Sequence, residues 1–168
     1  MLVKENIFPG GNKELYINSF SGSIVSTNGK LVEATAGNSW LKAYISLMSK
    51  SDQWLTDGEV YSIGVDFENL SDNYTTVYFK GMSVDSKYTK EPKFKGRIVD
   101  TSKKRDLDHV QIQISSTKIE NDLAFRYDNI SINKGEPSEL WIPAKADLPN
   151  SQQSYYPPDG DYNEIKAI

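Results

Sequence analysis

The sequence predicts an all-β domain, a sandwich or barrel, and two features of its patterning carry that prediction. Roughly eight to ten short segments alternate apolar and polar residues with a period of two, and Gly, Pro, Asn and Asp punctuate the gaps between them. No stretch sustains the 3.6-residue period of an amphipathic helix. An aromatic share of 11%, with ten tyrosines, adds strand-favouring side chains.

Residues 1–13 form a leading loop around the turn signal Pro9-Gly10-Gly11. Leu15 to Phe20 reads as a short strand that stops before Gly22, and Val25 lies in the next one. Asn28-Gly29 then turns a hairpin whose return strand is Leu31 to Ala36, before a break at Gly37-Asn38. From Leu41 the residues Leu41, Ala43, Ile45 and Leu47 face one way, and Lys42, Tyr44 and Ser46 the other. Residues 40–50 also permit a helix, but their β-branched and aromatic content and their period favour a strand.

A polar loop carrying Trp54 and Leu55 leads to the clearest strand, Val60 to Phe67, with Ser62, Gly64 and Asp66 opposite its large apolar positions. Residues 69–73 have turn chemistry. Tyr74 to Lys80 returns with Val77 and Phe79 inward and Tyr74, Thr76 and Tyr78 outward. The lysine-rich stretch 83–95, with Pro92, reads as an exposed loop. Strands follow at Phe94–Asp100 and His109–Ser115, divided by the charged loop Lys103–Asp106. After the turn at Asn121-Asp122 comes Ala124 to Ile132, whose apolar phase shifts between Tyr127 and Ile130, as a β-bulge at Asp128-Asn129 would produce. Lys134-Gly135 ends that strand, Pro137 and Pro143 exclude helix beyond it, and Trp141 is the large apolar group that pins this extended segment. The expected organisation is one β-sandwich over 1–148 and an extended Pro- and Tyr-rich arm over 149–168.

The 168 residues suit a single folded domain. A net charge of −4 argues against nucleic acid, and no apolar run reaches membrane-spanning length. The N-terminus lacks the apolar core of a signal peptide. Without cysteine there is neither a disulfide framework nor thiol chemistry.

Catalysis finds little support. The single histidine, His109, directly follows Asp108, and sequence neighbours do not supply triad geometry. One His and no Cys exclude a zinc site of the usual kind. The 23 acidic residues offer no pair that stands out as a glycosidase couple, and no glycine-rich phosphate loop is present. We therefore expect a protein that is not an enzyme.

Sugar binding has another signature. Sugar rings lay apolar C–H faces on aromatic side chains, while amides, carboxylates and guanidinium groups take their hydroxyls. The candidates are Trp54 in its polar loop, Tyr44 and Tyr78 on outward strand positions, and Gln111, Gln113, Arg126 and Asp66 on the same polar phase. If their strands share one sheet, its open face is lined by these groups. The plainer alternatives are that the tyrosines reflect cross-strand pairing, that Trp54 anchors its loop, and that Trp40 plugs the end of the sandwich.

The stretch Ile130 to Ala144 also carries a resemblance. An apolar strand, Lys134-Gly135, a polar spacer and Trp141-Ile142-Pro143-Ala144, with Asp147 soon after, resembles the ending of jelly-roll modules in distal-tail, baseplate and tail-fibre proteins of phages of Gram-positive bacteria. Here Leu140 stands where an acid often precedes the Trp, and Lys145 where an acid usually follows Pro-Ala. Those modules are similar to carbohydrate-binding modules. The resemblance implies a jelly-roll β-sandwich of two antiparallel sheets, non-enzymatic, that binds host cell-wall polysaccharide during adsorption and contacts other phage tail proteins. It implies a place in the virion, acting at the host surface, for which no signal peptide is needed. It also implies that Trp141 is structural. No cofactor is required, but such modules often hold a structural Ca²⁺ between an N-terminal loop and the last strand, which points to Asp128 with Asn6 or Glu5. The alternatives are a spacer or docking module of the tail with no sugar site, and an ancillary domain of a carbohydrate-active enzyme.

Overall fold

Ten strands run through the described residues and form two antiparallel five-stranded sheets. The computed structural model describes residues 3–153 apart from positions 12, 14, 16, 22, 27–29, 36–41, 49–54, 83–85, 106–108 and 117–122. One sheet has the order β1 (Ile17–Ser21), β4 (Lys42–Met48), β9 (Val110–Ser116), β6 (Thr75–Lys80), β7 (Ser86–Lys90). The other has the order β2 (Ser23–Ser26), β3 (Leu31–Thr35), β10 (Leu123–Lys134), β5 (Val60–Asn69), β8 (Lys95–Lys103). Most connections cross between sheets, which gives the jelly-roll sandwich that the resemblance implies.

The period of two decides which side chains meet in the middle. Ile45, Phe79 and Ile112 of the first sheet and Ile63, Phe125 and Ile132 of the second are all at most 1% exposed and belong to one core. Each such side chain contributes about 1.5–3 kcal/mol relative to an exposed one. At one edge the two sheets are also tied by a polar contact. Tyr88 of β7 stacks edge-on against Phe79, with centroids 5.8 Å apart, and its hydroxyl donates to Asp100 Oδ1 of β8 at 3.4 Å.

Strand β7 corrects the expectation of a loop across residues 83–95. Tyr78 pairs with Lys87 and Val77 with Tyr88, so the segment is an edge strand. Tyr88 is the one apolar side chain on the inward phase, which it shares with Ser86 and Lys90, and lysine is the usual charge on an exposed edge. That composition hides the strand from a pattern reading.

The bulge lies where the phase shift places it. Pairing of β10 with β5 jumps between Asp128 and Ser131, and Asn129 has φ 49°. Beyond the bulge β3 no longer accompanies β10, and the N-terminal segment takes over. Ile7 N donates to Ile132 O at 2.9 Å and Ile130 N to Gly11 O at 2.9 Å. The Asn6 carboxamide oxygen accepts from Phe8 N and Ile132 N, both at 3.0 Å. The leading loop is thus a surrogate strand.

The segment after β10 clasps this arrangement. Gly135, at φ 72°, ends the strand. Trp141 Nε1 then donates to Ile130 O at 3.1 Å, so Trp141 is structural. Asp147, in a 3-10 turn at Lys145–Asp147, accepts from Gly10 N at 2.7 Å and meets Lys13 Nζ at 3.3 Å. Asp147 thus holds the N-terminal loop against the segment after β10. The region expected as an extended arm opens with one helical turn, α1 (Asn150–Gln153), and residues 154–168 lie outside the described residues.

Candidate functional site

The outer face of the first sheet presents one polar row across four strands. Tyr44 of β4 stands opposite Gln113 of β9, Gln113 opposite Tyr78 of β6, and Tyr78 opposite Lys87 of β7. The flanking row is Ser46, Gln111 and Lys80, and on the other side lie Ser115, Thr76 and Thr89. Their inward neighbours Ala43, Ile45, Val77, Phe79, Ile112 and Ile114 are buried, so alternation sends this set outward.

Gln113 is the centre of the row. It is only 3% exposed although it points away from the core, because it sits in the register between the two tyrosines. Its carboxamide has no hydrogen-bond partner among the described residues, and no buried side-chain nitrogen or oxygen there is left orphaned. The amide tip therefore meets solvent between the two tyrosines, with two donors and an acceptor to offer. Burial pushes the Tyr44 hydroxyl pKa above the ordinary tyrosine value, so it stays a neutral hydroxyl. Lys80 Nζ and Lys87 Nζ approach the Tyr78 ring, at 5.3 and 6.0 Å from its centroid. Aromatic rings, an amide and hydroxyls side by side on adjacent strands suit a polyhydroxylated ligand laid across the sheet.

Of the residues that the sequence predicts for a sugar site, Tyr44, Tyr78, Gln111 and Gln113 come together here. Asp66 and Arg126 do not, which corrects the expectation of a single face. They belong to β5 and β10 of the second sheet and point from its outer face. Polar phase alone cannot tell one sheet's exterior from the other's. Trp54 and Trp40 lie outside the described residues. His109 is exposed just before β9. Lys80 and Lys87 were not singled out by sequence reasoning. Lys80 stands two residues from Tyr78, a spacing that marks it as a neighbour once the strand is recognised.

The second sheet's outer face holds a groove of about 710 Å³ around Lys30, Asp66, Glu68, Arg97, Arg126 and Asn129. Its charges already satisfy one another. Arg97 NH1 meets Asp66 at 2.8 Å, Arg126 meets Glu68 at 3.4 Å, and Lys30 pairs with Asp128. Arg97 also donates to Asn129 O at 2.9 Å and Ser131 Oγ at 2.6 Å. A ligand there would have to break these contacts, which makes the tyrosine face the stronger candidate despite the groove's volume.

The residues expected around a Ca²⁺ ion are engaged by protein groups. Asp128 Oδ1 is engaged by the Lys30 ammonium and by Asn129 N. The Asn6 side chain is held by main-chain groups, and the Glu5 carbonyl accepts from Asn133 Nδ2 at 2.7 Å. Among the described residues no group of three or more His, Cys, Asp or Glu side chains converges.

No protein-family model matches the chain, and no curated protein matches it. Solved structures do. The tripod from the baseplate of bacteriophage Tuc2009 is similar at a TM-score of 0.51 and 13% identity, over 86% of this chain and 60% of that one. The N-terminal cellulose-binding domain of a Cellulomonas fimi β-1,4-glucanase matches at a TM-score of 0.46 and 11% identity, over 77% and 98% of the two chains. The xylan-binding domain of a Paenibacillus barcinonensis protein matches at 0.38 and 11% identity, over 82% and 95%. The chain thus has a jelly-roll fold that also occurs in a phage baseplate protein.

Proposed function

We propose that this chain is a non-catalytic carbohydrate-binding module of a phage tail or baseplate protein, and that it holds cell-wall saccharide of a Gram-positive host on the face of β4, β9 and β6 during adsorption. The observation that carries the reading is Gln113, a nearly buried side chain with no hydrogen-bond partner among the described residues, placed in register between Tyr44 and Tyr78. Left unligated, such an amide is satisfied only by water, and a sugar hydroxyl pair replaces that water while the rings cover the sugar's C–H faces. The fold shared with a phage baseplate chain supports the setting. Many copies on one particle let weak sites act together by avidity.

The test is binding of the fluorescently tagged chain to host cells and to purified wall polysaccharide. Tyr44→Ala with Tyr78→Ala should abolish binding to both, whereas removal of residues 149–168 should leave it intact. Absence of binding to cells and polysaccharide by the unaltered chain would sink the proposal, and loss of tail assembly alone on truncation would favour a docking module. Ca²⁺ has a separate test: calorimetric titration into metal-stripped protein, where neither heat nor a change in melting temperature removes it.

A further inference from the structure

We infer that the saccharide face extends along β6 to Tyr74, a third aromatic platform, and that its ligand is an extended stretch of polysaccharide rather than one or two sugar units. This deepens the saccharide reading above and depends on it.

Among the described residues Tyr74 is the most exposed of the large apolar side chains, at 55%. It stands immediately before β6, four residues ahead of Tyr78. Its neighbour Thr75 is buried and shares the inward phase of Val77 and Phe79, so alternation sends Tyr74 to the side of Tyr78. A single exposed ring asks for no explanation, but this one shares a strand and a face with Tyr78. Between the two lies Thr76, only 1% exposed, whose hydroxyl pairs with that of Thr89 at 3.3 Å. Ser115 and Thr89 flank Thr76 in register, so short side chains separate the rings and the rings stand above them.

Spacing sets the size of the ligand. Along β6 the positions of Tyr74 and Tyr78 lie about 13 Å apart, at roughly 3.3 Å for each residue. Tyr44 lies two strands from Tyr78, about 10 Å across the sheet. Neither distance is spanned by one sugar ring, and the two directions run nearly at right angles, one along the strands and one across them. A monosaccharide therefore reaches one platform, and only a longer chain reaches beyond Tyr78 to Tyr74. Platforms far apart on one ligand act together in a single binding event, so affinity rises with the length of chain engaged. Covering the Tyr74 ring also removes from water the apolar area that the fold leaves there.

The experiment is an NMR titration of the full chain, read at the side-chain amide of Gln113. The ligand is wall polysaccharide purified from the host and cut by partial acid hydrolysis into a disaccharide fraction and a long-chain fraction. The long fraction should half-saturate the unaltered chain at a concentration of sugar units at least about tenfold lower than the disaccharide. Tyr74→Ala should remove about tenfold of that advantage, the worth of one stacked ring. Tyr74→Phe, which keeps the ring, should restore it, and Tyr78→Ala should weaken both fractions. An advantage that is absent from the unaltered chain, or unchanged in Tyr74→Ala, would overturn the inference and leave the saccharide reading standing. So would equal weakening of both fractions by Tyr74→Ala, which marks a ring that shapes the sheet instead of meeting the ligand. No shift by either fraction would overturn both.

Discussion

Gly11 lies so close to Ile130 that a Cβ added to it would stand 1.9 Å from the Ile130 carbonyl oxygen. The same carbonyl accepts from Trp141 Nε1, and Ile130 N donates back to Gly11 O at 2.9 Å. Three separate parts of the chain therefore meet at one peptide group: the N-terminal segment, the strand after the bulge, and the Trp141 clasp.

Gly11→Ala should accordingly destabilise the fold by about 1–3 kcal/mol, the range for forcing an extra carbon into packed structure. The clash is with main chain, which cannot swing aside as a side-chain tip can. Urea denaturation should show a lower midpoint with an unchanged slope. An unchanged midpoint would mean that the N-terminal segment contributes nothing to the stability of β10.

The contact between Tyr88 and Asp100 predicts a behaviour at high pH. Burial, and then the charge of Asp100 and the hydrogen bond to it, raise the Tyr88 pKa above its ordinary value. The neutral hydroxyl is therefore favoured in the folded protein. Its contribution is whole below about pH 10, where an unfolded tyrosine ionises, and is lost as pH rises through the higher folded value. Tyr88→Phe should flatten the fall of stability above about pH 10 and cost about 0.5–1.5 kcal/mol at neutral pH, where the hydrogen bond to Asp100 is lost. Denaturation curves collected across that range would check it, and an unaltered alkaline slope would count against the assignment.

Gly64 and Arg97 form a second coupled pair. A Cβ on Gly64 would lie 2.5 Å from Arg97 NH2, because the guanidinium crosses the sheet above this glycine to reach Ser131 and Asp66. Gly64→Ala should cost about 1 kcal/mol by displacing those hydrogen bonds. In an Arg97→Ala background the same substitution should instead gain about 0.4–1 kcal/mol, since alanine loses less freedom on folding than glycine. A double-mutant cycle measures the difference, and equal effects in both backgrounds would show that the two residues are independent.

Much of this architecture was legible in the residues. Val60 to Phe67 alternates without interruption, and the Tyr127-to-Ile130 phase shift marked the bulge, because periodicity reports the pleat directly. Strand β7 was hidden because an edge strand with a single inward tyrosine has no apolar row to reveal it. Sheet membership was not legible either. Asp66 and Tyr44 occupy the same polar phase, but long-range pairing sends β5 and β4 to opposite sheets. Alternation says which way a side chain turns relative to its strand, and only the pairing of β4 with β9 and β9 with β6 brings Tyr44, Gln113 and Tyr78 into one row. The part played by residues 6–11 beside β10 has no periodic signal at all. It depends on a glycine thin enough to touch Ile130 and an asparagine whose amide replaces a strand's hydrogen bonds.

Gln113→Leu separates a ligand-reading amide from a structural one. Leucine occupies nearly the same volume, and Gln113 gives no side-chain hydrogen bond to the described protein, so the fold loses no contact with the substitution. Replacing a buried amide by an apolar chain should hold stability level or raise it by about 1 kcal/mol. Binding should behave oppositely. The loss of an uncharged hydrogen bond to the saccharide, worth about 0.5–1.5 kcal/mol, weakens the complex by up to roughly tenfold. Thermal denaturation and titration with wall polysaccharide, carried out on the same preparation, give both quantities. A variant that melts at or above the unaltered chain's temperature and binds less tightly places Gln113 in contact with the sugar. One that binds as well as before removes the amide, and with it the observation on which the saccharide face rests.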